Sequence, residues 1–312
     1  MRISLVPAQW PGDELADVLR AARWGVEAGV HGLWLSEVAG FDSVGLAVAV
    51  APLAGDAEVL VGPVSPIVRD PALFAMGLAT VAAIAQSRVL AVLGTSSPTI
   101  VADWHGRPWE PPLQVMASAV STLRAAAGGG RTDHAGPGIA SRGFRLRVTP
   151  LPGLQVVVAA QGPRMLRLAG ALADRVVVNL VTPDQASAMV GEVASGARSA
   201  GRPAPPVAAW LVAGSRDASR SRVARLLEGY VQAPGYRERF QQAGFVIDGH
   251  MRPDAVDELA VFGDASAVVG RAAAYAAAGV SEVALVVSGR DPEGRAIVTG
   301  TAAAAGGEKD HG

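Results

Sequence analysis

The segment Gln161-Gly162-Pro163-Arg164-Met165 follows an apolar run, QVVVAA, and leads into a helix-forming one, LRLAGAL. Proline suits the first position of a helix, where its missing N–H would have no partner anyway. The N–H groups of Gly162, Arg164 and Met165 would then emerge at the helix start, and Arg164 adds a formal charge. Donors and a cation at one point attract an anion such as a phosphate. The same residues also serve simply to start a helix, and on this segment alone both readings stand.

A second stretch, Gly94-Thr95-Ser96-Ser97-Pro98, follows the run VLAVL and offers hydroxyls to the same phosphate or to a polyol chain. Such composition is also ordinary for a loop. Glu37 follows GLWLS and is the best-placed carboxylate for proton transfer; a salt-bridged rim residue is the equal alternative. Of the five histidines, only His105 lies in a loop after an apolar run. It is offered as a catalytic candidate beside the plainer reading of a local hydrogen-bonding residue. No two histidines stand at a metal-ligand spacing, and no HExxH, GxSxG, phosphate-binding GxxxxGK or early GxGxxG motif occurs. With no cysteine, thiolate nucleophiles and thiolate metal sites are excluded.

These residues need elements to position them. The predicted strands are 3–7, 32–37, 58–62, 89–94, 155–160, 175–180, 207–213 and 282–288. Several are apolar throughout, as expected of parallel strands covered on both faces. Helical stretches alternate with them at 13–28, 71–86, 163–173, 183–200 and 266–278, which gives βαβ units. Eight such units in 312 residues fit a (β/α)8 barrel, with a doubly wound open sheet as the rival. In a barrel the site lies at the C-terminal strand ends, where Glu37, Gly94–Ser96 and Gln161–Met165 all fall.

The expected organisation is a single barrel domain over residues 1–299. Insertions are expected near 128–151, with a short extended piece at 144–148, and near 216–264, with room for two extra helices. Residues 300–312 are expected to be a flexible tail. The formal net charge of −1 argues against nucleic acid or an anionic membrane as the main partner. The absence of an apolar segment of spanning length, and of a leader pattern, leads to the expectation of a soluble cytoplasmic protein.

One stretch remains: GPVSPIVRDP at 62–71, with Pro63, Pro66 and Pro71 at the exit of the run AEVLV. Asp70 is expected to cap the next helix, with Pro71 in its first turn.

Taken in order, AGVHGLWLSEVAGFDS, RDPALFAMGLATV, VLAVLGTSSPTIVADWHGRPWEPPLQVM, VVVAAQGPRMLRLAGALADRVVVN and AAGVSEVALVV resemble the bacterial luciferase-like superfamily. They are closest to its branch that uses the deazaflavin coenzyme F-420, which includes methylenetetrahydromethanopterin reductase. The resemblance implies a (β/α)8 barrel, a homodimer, and an oxidoreductase in which reduced F-420 delivers a hydride to a small organic substrate (C=C, C=N or similar). It also implies a cofactor phosphate held by Gly94, Thr95 and Ser96 and by Gly162, Pro163, Arg164 and Met165, with Gln161 and Asn179 as further cofactor-binding residues. A bulge with a cis peptide, backing the coenzyme ring, maps to Gly62, Pro63 and Val64. Several relatives carry a histidine directly after the acidic residue that follows the second strand; here Val38 follows Glu37, which leaves Glu37 and His105 as the candidate proton carriers. An FMN-dependent monooxygenase is the alternative, and a barrel that binds flavin or deazaflavin without turnover is a second.

Overall fold

The computed structural model describes residues 1–7, 12–233 and 235–307. The strands, in chain order, are β1 (Arg2–Pro7), β2 (Gly32–Leu35), β3 (Glu58–Val64), β4 (Val89–Gly94), β5 (Asp133–Gly136), β6 (Ile139–Arg142), β7 (Gln155–Ala159), β8 (Arg175–Asn179), β9 (Val207–Gly214), β10 (Val246–Ile247), β11 (His250–Met251), β12 (Ala260–Phe262) and β13 (Glu282–Val287). The α-helices are α1 (Leu15–Glu27), α2 (Ser43–Val50), α3 (Pro71–Ala82), α4 (Pro112–Ala127), α5 (Pro163–Leu172), α6 (Pro183–Ser199), α7 (Arg216–Val231), α8 (Tyr236–Gln242), α9 (Ala255–Leu259), α10 (Ala265–Ala277) and α11 (Gly294–Gly307).

Hydrogen-bonded neighbours run β12-β9-β13-β1-β2-β3-β4-β7-β8, and β8 pairs in turn with β9. Every strand pairing within this sheet whose register is defined is parallel. Eight strands therefore close a (β/α)8 barrel, and β12 is an addition on β9. Strands such as β2 and β8 are buried along almost their whole length, which explains their unbroken apolar sequences. No helix among the described residues is long and apolar enough to cross a membrane.

Contacts divide the chain into two compact units, residues 1–31, 178–190 and 207–312, and residues 32–177 and 191–206. In the second unit, β2, β3, β4 and β7 are consecutive neighbours. Here α5 and α6 approach closely enough that a Cβ on Gly196 would lie 1.9 Å from the Arg167 carbonyl oxygen. Only glycine permits that crossing.

The first unit carries the segment between β9 and β13. Its residues 216–264, where an insertion is expected, hold the three helices α7, α8 and α9, the β10–β11 hairpin and β12, more structure than the two helices expected. Val223, Leu227, Phe240, Phe245, Val256 and Leu259 form its apolar core.

Two expectations need correction. The extended piece is not at 144–148: the strands are β5 and β6, an antiparallel hairpin turning at Pro137-Gly138. This hairpin lies along α4, so a Cβ on Gly138 would come 3.2 Å from Val115 Cγ2 and from Glu110 Cγ. Nor is the tail loose from residue 300. Helix α11 continues to Gly307 with Thr301 buried; residues 308–312 lie outside the described residues.

Candidate active site

The candidate site is built first from the second unit. Strand β3 pairs with β4 in register at Val61↔Ala91 but shifts by Val64↔Leu93. The extra residue is a bulge at 62–63. Gly62 has φ +114, and a Cβ there would meet the Val92 carbonyl oxygen at 2.3 Å. The Gly62–Pro63 peptide is cis, as expected. The Pro63 side chain rests against Gly94, where an added Cβ would lie 3.1 Å from Pro63 Cβ and 3.6 Å from Ala159 Cβ. Three strand ends thus converge on a small, bare cradle: the β3 bulge, the last residue of β4 and the last residue of β7.

The chain beyond β4 is irregular. Ser96 has φ +64, a left-handed conformation that a serine adopts at a cost and that recurs at functional sites. Residues Thr99–Trp104 then form a π-helix, another feature frequent at such sites. His105 caps this π-helix through its backbone and is exposed. Its side chain makes no hydrogen bond or ion pair among the described residues, so nothing there ties it to Glu37.

After β7, Gly162 is the N-cap of α5 with Pro163 at the helix start, as the sequence indicates. No side chain caps this end, and a Cβ on Gly162 would meet nothing within 4 Å. Arg164 is exposed and without an ion pair among the described residues. Strand register places Gly94 opposite Ala159, which brings the Thr95–Ser96 loop and the Gln161–Met165 turn side by side. An uncapped helix start, a cation and neighbouring hydroxyls fit a phosphate.

Glu37 emerges two residues after β2 into a polar cluster. Its Oε2 accepts from the Ser43 backbone N–H at 3.0 Å, from Ser43 Oγ at 3.3 Å and from Arg69 Nη2 at 3.2 Å. Arg69 Nη2 also pairs with Asp42, whose carboxylate caps α2 by accepting from Val44 and Gly45. Asp70 caps α3 in the same manner, with Pro71 in the first turn. The salt-bridged reading of Glu37 is therefore correct as geometry. Sequence reasoning misses Arg69; its position just before the cap-and-proline pair is the available signal.

Asn179 belongs to the first unit. Its Nδ2 donates to the Tyr236 hydroxyl at 3.4 Å. Arg239 donates to the Leu180 carbonyl at 2.6 Å and the Asn179 carbonyl at 3.3 Å, and stacks over the Tyr236 and Phe240 rings. Burial holds the Arg239 pKa below its ordinary value, and burial pushes the Tyr230 hydroxyl far up. Tyr230, Tyr236 and Arg239 lie over fifty residues from Asn179 and carry no motif.

The molecule is thus a parallel (β/α)8 barrel with a bulged third strand and, beyond the fifth barrel strand, a helix start that no side chain caps. The model of the luciferase-like monooxygenase family matches residues 3–282, and the chain belongs to that family. A 5,10-methylenetetrahydromethanopterin reductase from Methanolobus tindarius is 24% identical over 193 residues, 62% of this chain and 59% of the relative. The match thus spans about three fifths of that curated relative's length. Among solved structures, the coenzyme F-420-dependent tetrahydromethanopterin reductase from Methanopyrus kandleri superposes with a TM-score of 0.79 at 19% identity, covering 97% of this chain and 98% of that one. An F-420-dependent secondary alcohol dehydrogenase, in complex with an F-420–acetone adduct, gives 0.81 at 16% identity, covering 97% of each chain. The oxygenating constituent of 3,6-diketocamphane monooxygenase from Pseudomonas putida, in complex with FMN, gives 0.71 at 16% identity, covering 97% and 98%. At these identities the structures share the fold.

Proposed function

We propose that this protein is an oxidoreductase that binds reduced coenzyme F-420 and directs its hydride to a small organic substrate with a C=C, C=N or similar bond. The observation that carries the reading is the Pro63–Gly94 cradle beside the uncapped start of α5. A flat ring needs a surface without side-chain protrusions, and Gly62, Pro63 and Gly94 provide one. A phosphate needs donors and a cation, which Thr95, Ser96, Gly162, Arg164 and Met165 supply. When bound, the coenzyme supplies the hydride; the protein orients it, excludes water and handles protons. Glu37 is the candidate acceptor for a proton or a proton-bearing group, His105 a second candidate for proton transfer, and Gln161 is assigned to the coenzyme's surroundings.

A homodimer belongs to this reading. Helices α2 and α3 contain no charged residue, and α3 exposes Leu73 and Met76. Light scattering of the purified protein reads the assembly state directly.

The FMN monooxygenase reading is kept because an FMN-bound member of the same fold superposes well and both coenzymes carry a ribityl phosphate. The test of the main reading is reoxidation of reduced F-420 without oxygen, followed by its absorbance over a panel of imines and enones. Turnover with any member supports the hydride reading. Oxygen uptake with reduced FMN, and no anaerobic reoxidation of F-420, would transfer the assignment to the monooxygenase.

A further inference from the structure

We infer that Glu37 works through a single oxygen, Oε1, that Arg69 is the positioning residue that fixes this, and that the site accordingly takes a substrate presenting an N–H or O–H donor beside the reacting carbon. This rests on the proposed function for the identity of the site, but the geometry is that of Glu37 itself.

All the donors to Glu37 converge on one atom. The Ser43 N–H, the Ser43 hydroxyl and Arg69 Nη2 all reach Oε2. No described group donates to Oε1, and the Glu37 side chain retains 21% of its accessible surface. Two of these donors belong to Ser43, the first residue of α2, and the third comes from the far side of the β3 bulge. Arg69 is itself held at both ends. Its backbone N–H donates to the Ser65 carbonyl at 2.8 Å, and its Nη2 also engages Asp42, the cap of α2. The arginine therefore ties the exit of β2 to the exit of β3, and it acts on chemistry only through the carboxylate.

An ionised carboxylate is acceptor-only. With Oε2 occupied, Oε1 accepts a donor or a cation and repels a bare carbonyl or another carboxylate. A protonated C=N group matches this. Its nitrogen already carries the proton, so when a hydride adds to the carbon the C=N π electrons settle on nitrogen and a neutral amine results. No acid is required of the protein. A neutral C=O or C=C acceptor would need a proton that an acceptor-only carboxylate does not hold.

The test uses two probes, 2-methyl-1-pyrroline, protonated at neutral pH, and cyclohex-2-enone, which has no donor. Binding of each is measured by ligand-observed NMR, with and without F-420, on the wild type, Glu37→Gln, Arg69→Met and Arg69→Lys; melting curves establish that each variant is folded. The expectation is preferential binding of the pyrrolinium by the wild type and a loss of about tenfold in Glu37→Gln, the scale of one charge-assisted hydrogen bond. Enone binding should not change. Arg69→Met should weaken the pyrrolinium several-fold, and Arg69→Lys should recover most of it. The inference is overturned if the wild type binds neither probe or prefers the enone, if Glu37→Gln affects both probes alike, or if lysine at 69 is no better than methionine. Failure of the protein to bind F-420 would count against the proposed function alone, because the probe comparison without coenzyme still decides the role of Glu37.

Discussion

Pro63 and Gly94 touch across the β3–β4 pair: a methyl group added at residue 94 would sit 3.1 Å from Pro63 Cβ. The bulge and the strand end are thus complementary, one supplying a rigid ring and the other the space for it. Gly94→Ala should push the proline outward by a few tenths of an ångström. Overpacking of this kind costs about 1–3 kcal/mol. The expected outcome is a lowered melting temperature together with weaker coenzyme binding, read by calorimetry and fluorescence titration on one preparation. Unchanged affinity would remove Pro63 from the coenzyme's surroundings.

Gly62 faces a stricter limit. Its φ is +114, and the Val92 carbonyl oxygen would lie 2.3 Å from an added methyl, so a backbone atom rather than a side chain stands in the way. Gly62→Ala should abolish or severely reduce soluble folded protein, since neither the strained φ nor the clash relaxes locally. Circular dichroism and thermal melts of whatever is recovered provide the check.

Far from the site, Glu58 at the start of β3 and Arg175 at the start of β8 form a buried pair, Oε2 to Nη2 at 2.9 Å, with side chains 9% and 8% exposed. Conversion of Arg175 to alanine removes the 2.9 Å partner of a buried carboxylate, whose other oxygen lies 3.6 Å from the exposed Arg88. The expected loss is about 3–5 kcal/mol of stability, measured by urea unfolding. Coenzyme affinity of the folded fraction should be unaffected, because strand starts lie at the barrel end opposite the site.

Acid should loosen the β10–β11 hairpin. The Met251 N–H and His250 hold the Glu228 carboxyl below its ordinary pKa. A depressed folded pKa means stability present above the unfolded value and lost as pH falls through the folded one. Glu228→Gln should therefore narrow its gap in melting temperature from the wild type as the solution is acidified below the ordinary carboxylate range. A gap that stays constant with pH would contradict this.

The barrel is legible in the sequence because its strands are apolar on both faces and its helix starts carry local signals, a capping Asp70 before α3 and the Gly162-Pro163 pair before α5. The cis Gly62–Pro63 bond follows from the resemblance together with the proline. The β5–β6 hairpin escapes sequence reasoning because each strand has four residues with little alternation; the Pro137-Gly138 pair is its only local signal. The partnerships are invisible for another reason. Glu37 and Arg69 are 32 residues apart, Asn179 and Tyr236 are 57, and Glu58 and Arg175 are 117. Such pairs are created by strand register and chain return, which no local pattern encodes.

The central claim is that the cradle of Gly62, Pro63 and Gly94, with the start of α5, accepts a deazaflavin. Equilibrium titration of the purified protein with F-420 and with FMN, side by side, tests it most directly. The account predicts saturable F-420 binding at least about tenfold tighter than FMN, a difference of about 1.4 kcal/mol. Tight FMN binding with no measurable affinity for F-420 would contradict it.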